Sequence, residues 1–229
     1  MNQSVPPLTL SGIAEGYDAI ASRIGMSPKF YTAFLQFADG LELPLLDLGS
    51  GRGLLLEEVG KRLGKLDRCY GADISHQLCL LCRQRVGVHV VQCDAQRLPF
   101  PSKRFRTLLC TEVLEHVLEP VWMFGEVRRV LEEGGSCHLS VPNRDWPRYE
   151  RYQAQHRQVQ PVDDRFYRLS ELEVLAAETG LVVSAVGGYG SIRHGGIWGA
   201  LESFLARWVP RMNRRRKRLF VSLRKKGPA

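Results

Sequence analysis

Leu45-Leu46-Asp47-Leu48-Gly49-Ser50-Gly51-Arg52-Gly53-Leu54 runs from an apolar stretch through one acid into three alternating glycines. The uninterrupted run from Leu43 to Leu48 suits a strand buried on both faces of a parallel sheet. The glycines then turn the chain into a helix expected from Gly53 to Leu63. Glycine there lets a ligand approach the backbone at the carboxyl edge of the sheet, although a purely structural tight turn would use the same residues. The pattern is GxGxG. A dinucleotide fingerprint wants glycine or alanine where Leu54 stands, so a pyrophosphate on the helix N-terminus is disfavoured.

Working outward, the same alternation repeats. Strands are predicted at Cys69 to Ala72, His89 to Gln92, Phe105 to Cys110 and Ser136 to Val141, with helices at Ser75 to Arg85 and Pro120 to Leu131. Strands separated by helices imply βαβ units and an α/β, doubly wound, mostly parallel sheet. Upstream, Ala14 to Ala38 shows apolar residues at helical spacing and reads as two short helices broken near Ser27-Pro28, an N-terminal helical cap over residues 1–40.

Downstream of Pro142 the pattern changes. Residues 142–169 are polar and aromatic-rich without a clear period, a connection of the length used for lids and binding segments. A helix follows from Ser170 to Thr179, with Ser170 as N-cap, Glu173 completing a capping box and Gly180 as its stop. Leu181 to Val186 and Leu219 to Leu223 read as strands. Between them Ile197, Trp198, Leu201, Phe204, Leu205 and Trp208 share one helical face, which makes 190–217 a second lid segment within one domain spanning 1–229.

Two further acids stand beside the glycine turn. Asp73 closes the second strand, 22 positions after Gly51, where a carboxylate can accept from both ribose hydroxyls. Asp94 lies just past the third strand, where it can accept from an exocyclic amine. Either acid taken singly reads as well as a helix cap or turn residue. Three acids at three successive strand ends favour a nucleoside-type ligand.

Composition excludes other classes. The 229 residues are 44% hydrophobic and 24% charged, ordinary globular usage that argues against disorder or a fibrous repeat. No apolar run approaches the roughly 18 to 20 residues of a membrane span, and the N-terminus lacks a signal-like apolar region, so a cytoplasmic location is expected. The formal charge is +8, but ten of the 32 basic residues fall between Ser203 and Ala229 with no acid among them, leaving 22 against 24 elsewhere. The basicity is local. Six cysteines read as reduced, buried thiols, and the lone pair Cys79 and Cys82 is not a zinc site, so no metal is expected.

Together the motifs resemble the class I S-adenosylmethionine-dependent methyltransferases, and within them the ubiquinone/menaquinone-biosynthesis type. LLDLGSGRG is similar to their glycine motif, GADIS to the ribose-binding acid, CDAQRLPF to the adenine segment and FRTLLCTEVLEHV to the strand and turn under the methionine moiety. The resemblance covers roughly residues 14 to 190 plus the last strand, and implies a Rossmann-like sheet of seven strands with an antiparallel last strand. It implies S-adenosyl-L-methionine as donor and S-adenosyl-L-homocysteine as product. Gly49, Ser50 and Gly51 would face the cofactor, Asp47 its ammonium or a water, Asp73 the ribose, Ile74 the adenine face. Asp94 and Ala95 would meet the adenine edge, Cys110 and Thr111 line the methionine end, and Tyr17 close over the site. Arg106 departs from the family, which usually has Asp there.

A sulfonium already makes its methyl electrophilic, so the protein's share is alignment and exclusion of water. His116 is the best placed side chain to act as base, with His156 and Tyr152 as alternatives. The expected acceptor is a small or lipid-like molecule methylated at oxygen or carbon. The stretch 197–218, apolar helix followed by Arg214 to Arg218, suits either a peripheral membrane contact or a packed lid with a solvated basic run. RNA methylation with the basic tail as phosphate clamp, and a noncatalytic donor-binding partner, are the competing readings.

Overall fold

The computed structural model describes residues 9–23, 25–155, 161–162, 164–191 and 214–225. Seven strands form one sheet: β1 Leu45–Leu48, β2 Cys69–Asp73, β3 His89–Gln92, β4 Phe105–Thr111, β5 Leu131–Pro142, β6 Leu181–Tyr189 and β7 Arg218–Lys225, in the order β3-β2-β1-β4-β5-β7-β6. The pairings from β3 to β5 are parallel, and β7 runs antiparallel between β5 and β6. This is the doubly wound, mostly parallel sheet expected from the alternation.

Neighbouring residues along a strand point to opposite faces, and both faces are buried. Leu46, Leu108 and Val221 pack under helices α5 (Pro120–Val130) and α7 (Leu169–Glu178) through Phe124, Val127 and Leu172. Leu45, Leu109 and Phe220 pack on the other side, under α2 (Pro28–Phe37), α3 (Leu54–Leu63) and α4 (His76–Val86), against Phe34, Leu56 and Cys82. Cys79 and Cys82 thus belong to the core, and burial pushes their thiols up to about 11 and about 12.

Several boundaries differ from the sequence expectations. Strand β1 begins at Leu45, because Pro44 has no N–H to give to a ladder. The first helix, α1, spans Leu10–Ile20 and starts earlier than Ala14, where the Thr9 hydroxyl accepts from Gly12 N. Strands β5, β6 and β7 are longer than expected, since each pairs with another along its length. Ser170 is not the N-cap of α7 and Glu173 closes no capping box. The helix enters at Leu169, and the carboxylate of Glu171 accepts from Arg168 N at 2.7 Å. The preceding Tyr167, fully buried, donates N–H to Pro142 O and fixes that register.

The long connection carries a short helix, α6 (Tyr149–Gln155), that its irregular pattern hid. Trp146, Phe166 and Tyr167 are buried, so these aromatics pin the connection to the core. The basic run is likewise not a solvated patch. Arg214 and Arg215 are exposed, but Arg216 is buried and donates to Gly190 O, and Lys217 lies over the rings of Trp146 and Tyr152. The expected apolar helix at 197–208 and His156 lie outside the described residues. No described helix is long and apolar enough to cross a membrane.

Candidate functional site

Strand order reverses beside β1, and connections leave β1 and β4 toward opposite faces of the sheet. Such a switch point opens a crevice at the carboxyl ends of the strands. A cavity of about 410 Å³ occupies it, lined by Asp47, Gly49, Ser50, Gly51, Asp73, Ile74, Asp94, Ala95, Thr111, His116 and Tyr17 among others. Of the sequence-named site residues, Cys110 is wholly buried and Tyr152, the alternative base, does not line the cavity; His156 lies outside the described residues.

The glycine turn is built for two different purposes. Gly49 has φ +74, and a Cβ there would stand 2.1 Å from Val113 Cγ2, so its absence of a side chain is a packing requirement. Gly51 has φ +51 with nothing near the position of a Cβ, which leaves open cavity against its backbone. Its N–H donates to Asp73 Oδ2 at 2.8 Å, while Asp73 Oδ1 accepts from Ser75 N at 3.0 Å. Burial raises Asp73 to about 6, although those N–H bonds pull it back down. Ser50 is buried, its hydroxyl lying over Gly71.

Asp47 is the most exacting residue of the site. Asp47 is 1% exposed, and neither carboxylate oxygen has a hydrogen-bond partner among the described residues. Burial, with the charge of Asp73 second, pushes its carboxyl well above the usual range. An unsatisfied buried carboxylate is costly, and the same group becomes favourable when a cation reaches it. The carboxylate of Asp94 accepts from Gln96 N at 3.0 Å and from Gln96 Nε2, so it faces the cavity while holding its own turn.

Helix α1 covers this end. Asp18 Oδ1 accepts from Gln77 N at 2.9 Å and from the Ser75 hydroxyl, capping α4 from another element. Ile13, Tyr17 and Ala21 pack on Leu78 with Ile74 beside them. Tyr17 meets the ring of His116 edge-on, centroids 5.9 Å apart. Burial raises the Tyr17 phenol and lowers His116, against the opposing charge of Asp164, whose Oδ1 is 3.8 Å from His116 Nε2. The ring stays neutral near neutrality.

Sequence reasoning missed six charged lining residues: Arg23, Arg52, Glu112, Glu115, Asp164 and Arg218. The spacing Glu112-Val-Leu-Glu115-His116 was a usable signal, because a 3₁₀ turn at Leu114–His116 brings both acids to one end of the cavity. Arg218 gave none, since it arrives by antiparallel pairing of β7, far along the chain. Arg106 lies at the opposite end of β4, bonded to Glu42 and clear of the cavity.

Residues 46–139 match the family model described as a methyltransferase domain. An uncharacterized protein of Mycobacterium tuberculosis is 33% identical over 144 residues, 62% of this chain and 48% of that protein. The ubiquinone/menaquinone biosynthesis C-methyltransferase of Bordetella parapertussis is 29% identical over 149 residues, 58% of each chain. The chain therefore spans about half the length of these curated relatives. Among solved structures, the CcbJ methyltransferase of Streptomyces caelestis superposes with a TM-score of 0.70 at 14% identity, over 96% of this chain and 100% of the other.

Proposed function

We propose that the protein, residues 46–139 of which match a methyltransferase domain, transfers a methyl group from S-adenosyl-L-methionine to a small or lipid-like acceptor, at oxygen or carbon. The observation that carries the reading is Asp47, a buried carboxylate with no partner among the described residues, in a cavity shared with Asp73 and Asp94. An ammonium, such as that of an amino-acid moiety, supplies the missing counter-charge.

The remaining residues fit the adenosyl half. Asp73, already oriented by Gly51 and Ser75 N–H groups, keeps lone pairs for ribose hydroxyls. Ile74 offers an apolar face to adenine, with Asp94 and the backbone of Ala95 at its edge. The open space against Gly51 admits the ligand to the backbone, and Tyr17 shuts out water from the reacting end. Bound there, the donor supplies an electrophilic methyl on a sulfonium. Thr111 and His116 border the methionine end, where the acceptor enters. The acceptor class is supported by the relatives named for ubiquinone and menaquinone biosynthesis. Of the basic run that would serve RNA as acceptor, Arg216, Lys217 and Arg218 are engaged inside the fold while Arg214 and Arg215 stay exposed.

Calorimetric titration with S-adenosyl-L-homocysteine tests the reading. One site is expected, with Asp73→Ala weakening it by about 1–3 kcal/mol through lost charge-assisted bonds. A folded protein with no affinity for this ligand or its methylated parent overturns it.

A further inference from the structure

At the acceptor end, three side chains lining the cavity each keep one buried polar atom without a partner among the described residues, His116 Nδ1, Glu115 Oε2 and Arg218 Nη1, and the last two are a fixed acceptor and a fixed donor. Both are held from behind. Glu115 is 3% exposed, on the 3₁₀ turn, with its backbone carbonyl accepting from Arg165 N at 3.1 Å. Arg218 bonds Glu112 through Nε, and Glu112 is fixed in turn. Its φ is +55, its N–H donates to Ser140 O, and its Oε1 accepts from Ser140 Oγ at 2.8 Å. A residue kept at so unusual a backbone angle needs such ties. They hold the guanidinium in place while Nη1 stays unused.

One vacant acceptor and one vacant donor match a particular chemistry. A hydroxyl gives one O–H and accepts on its lone pairs, so it satisfies both atoms, whereas an ammonium has only donors and would leave the Arg218 N–H unmet. We propose that Glu115 takes the proton of an acceptor hydroxyl while Arg218 Nη1 holds that hydroxyl's oxygen. The proposal rests on the methyl-transfer reading above. The O–H bond breaks, its proton passes to Glu115 Oε2, and its electron pair forms the new O–CH₃ bond. The pair of the broken S–CH₃ bond remains on the donor sulfur as a neutral thioether. Arg218 stabilises the negative charge that develops on oxygen.

Charge around Glu115 agrees with a basic carboxylate. Burial raises it most, Glu112 and Asp164 raise it further, and Arg218 opposes them. Tyr17 from α1, Tyr167 from the long connection, Cys110 from β4 and the adjacent His116 complete its titratable surroundings. Burial works against the charge of Arg218, but Glu112 and Glu115 outweigh it and keep it protonated. Burial moves the neighbouring His116 the opposite way.

The test uses protein saturated with S-adenosyl-L-homocysteine and 4-nitrophenol as probe, with 4-nitroanisole, the same ring lacking the O–H, as control. The phenol is expected to bind at least tenfold more tightly than the ether. Its affinity should fall on the acid side as Glu115 takes a proton from solvent. Glu115→Gln should remove that acid limb, and the double variant Glu112→Gln/Arg218→Gln, which removes that ion pair whole, should bring the ratio within threefold. Glu115→Leu, apolar and of similar volume, supplies the same comparison if Gln perturbs folding. Homocysteine-ligand affinity should stay within threefold throughout. Equal binding of phenol and ether by the wild type, or an unchanged ratio and acid limb in the Glu115 variants, overturns the proposal. Loss of the homocysteine ligand from the wild type instead removes the methyl-transfer reading, and the proposal with it.

Discussion

In the proposed donor site, Asp47 would trade stability for affinity. A carboxylate with both oxygens buried and unpaired weakens the ligand-free fold, and replacement of such a group by one of similar shape is often neutral or stabilising. Asp47→Asn is therefore expected to raise the melting temperature of the ligand-free protein while weakening S-adenosyl-L-homocysteine by tenfold or more, read by scanning calorimetry and titration. A variant both less stable and equally tight would contradict that role. Asp73 adds a pH dependence. With its carboxyl at about 6 in the ligand-free fold, above the ordinary 3.8, ionisation destabilises that fold as pH rises from 4 through 6. In the proposed site, donor binding would use the ionised form, so affinity should fall as pH drops below about 6, and Asp73→Asn should flatten that fall. The two glycines separate by the same logic. Gly49→Ala meets Val113 and should lower stability, whereas Gly51→Ala keeps its space but carries a positive φ, at roughly 1 kcal/mol, and should act mainly on donor affinity.

Elements carry the site by what they are tied to. Helix α1 brings Tyr17 over the cavity, and its link to α4 is Asp18 on the Ser75 and Gln77 groups. Losing a cap of this kind costs about 1 kcal/mol. Asp18→Ala should loosen α1, seen as faster proteolysis near Ile20 and weaker donor binding, with the rest of the fold intact. Far from the site, strands β5 and β7 enclose His138 between Ser222 and Ser136, bonded at 2.8 and 3.1 Å. Burial lowers this ring from 6.5 to about 4. The unfolded chain thus binds a proton that the folded one refuses, so stability is lost as pH falls from 6.5 toward 4. Relative to His138→Gln, the wild type should lose roughly 3 kcal/mol over that window in urea unfolding. An equal pH dependence in both proteins would remove the effect from His138.

At the scale of the molecule, what the sequence reveals is what depends on short range. The strands of the parallel half announce themselves as apolar runs, and the acids at their ends converge because successive βαβ units place every carboxyl edge on one side. Asp47, Asp73 and Asp94 were legible for that reason. Arg218 was not, because its position follows from the antiparallel pairing Pro142 with Arg218, set by contacts across more than seventy residues. The same pairing draws Arg216 to Arg218 inward and brings Arg218 alone of that run to the cavity. Glu115 was half legible: its spacing to Glu112 was visible, its burial was not. Tyr167 likewise shifts the start of α7 through a tertiary bond that no local capping rule contains.

The account stands on the cavity at the switch point being a donor site organised by Asp47. A crystal structure with S-adenosyl-L-homocysteine measures this directly. The prediction is the ligand's ammonium within hydrogen-bond distance of Asp47 and its ribose hydroxyls on Asp73. A ligand bound elsewhere on the protein, or in the cavity with Asp47 still unpaired, would contradict it.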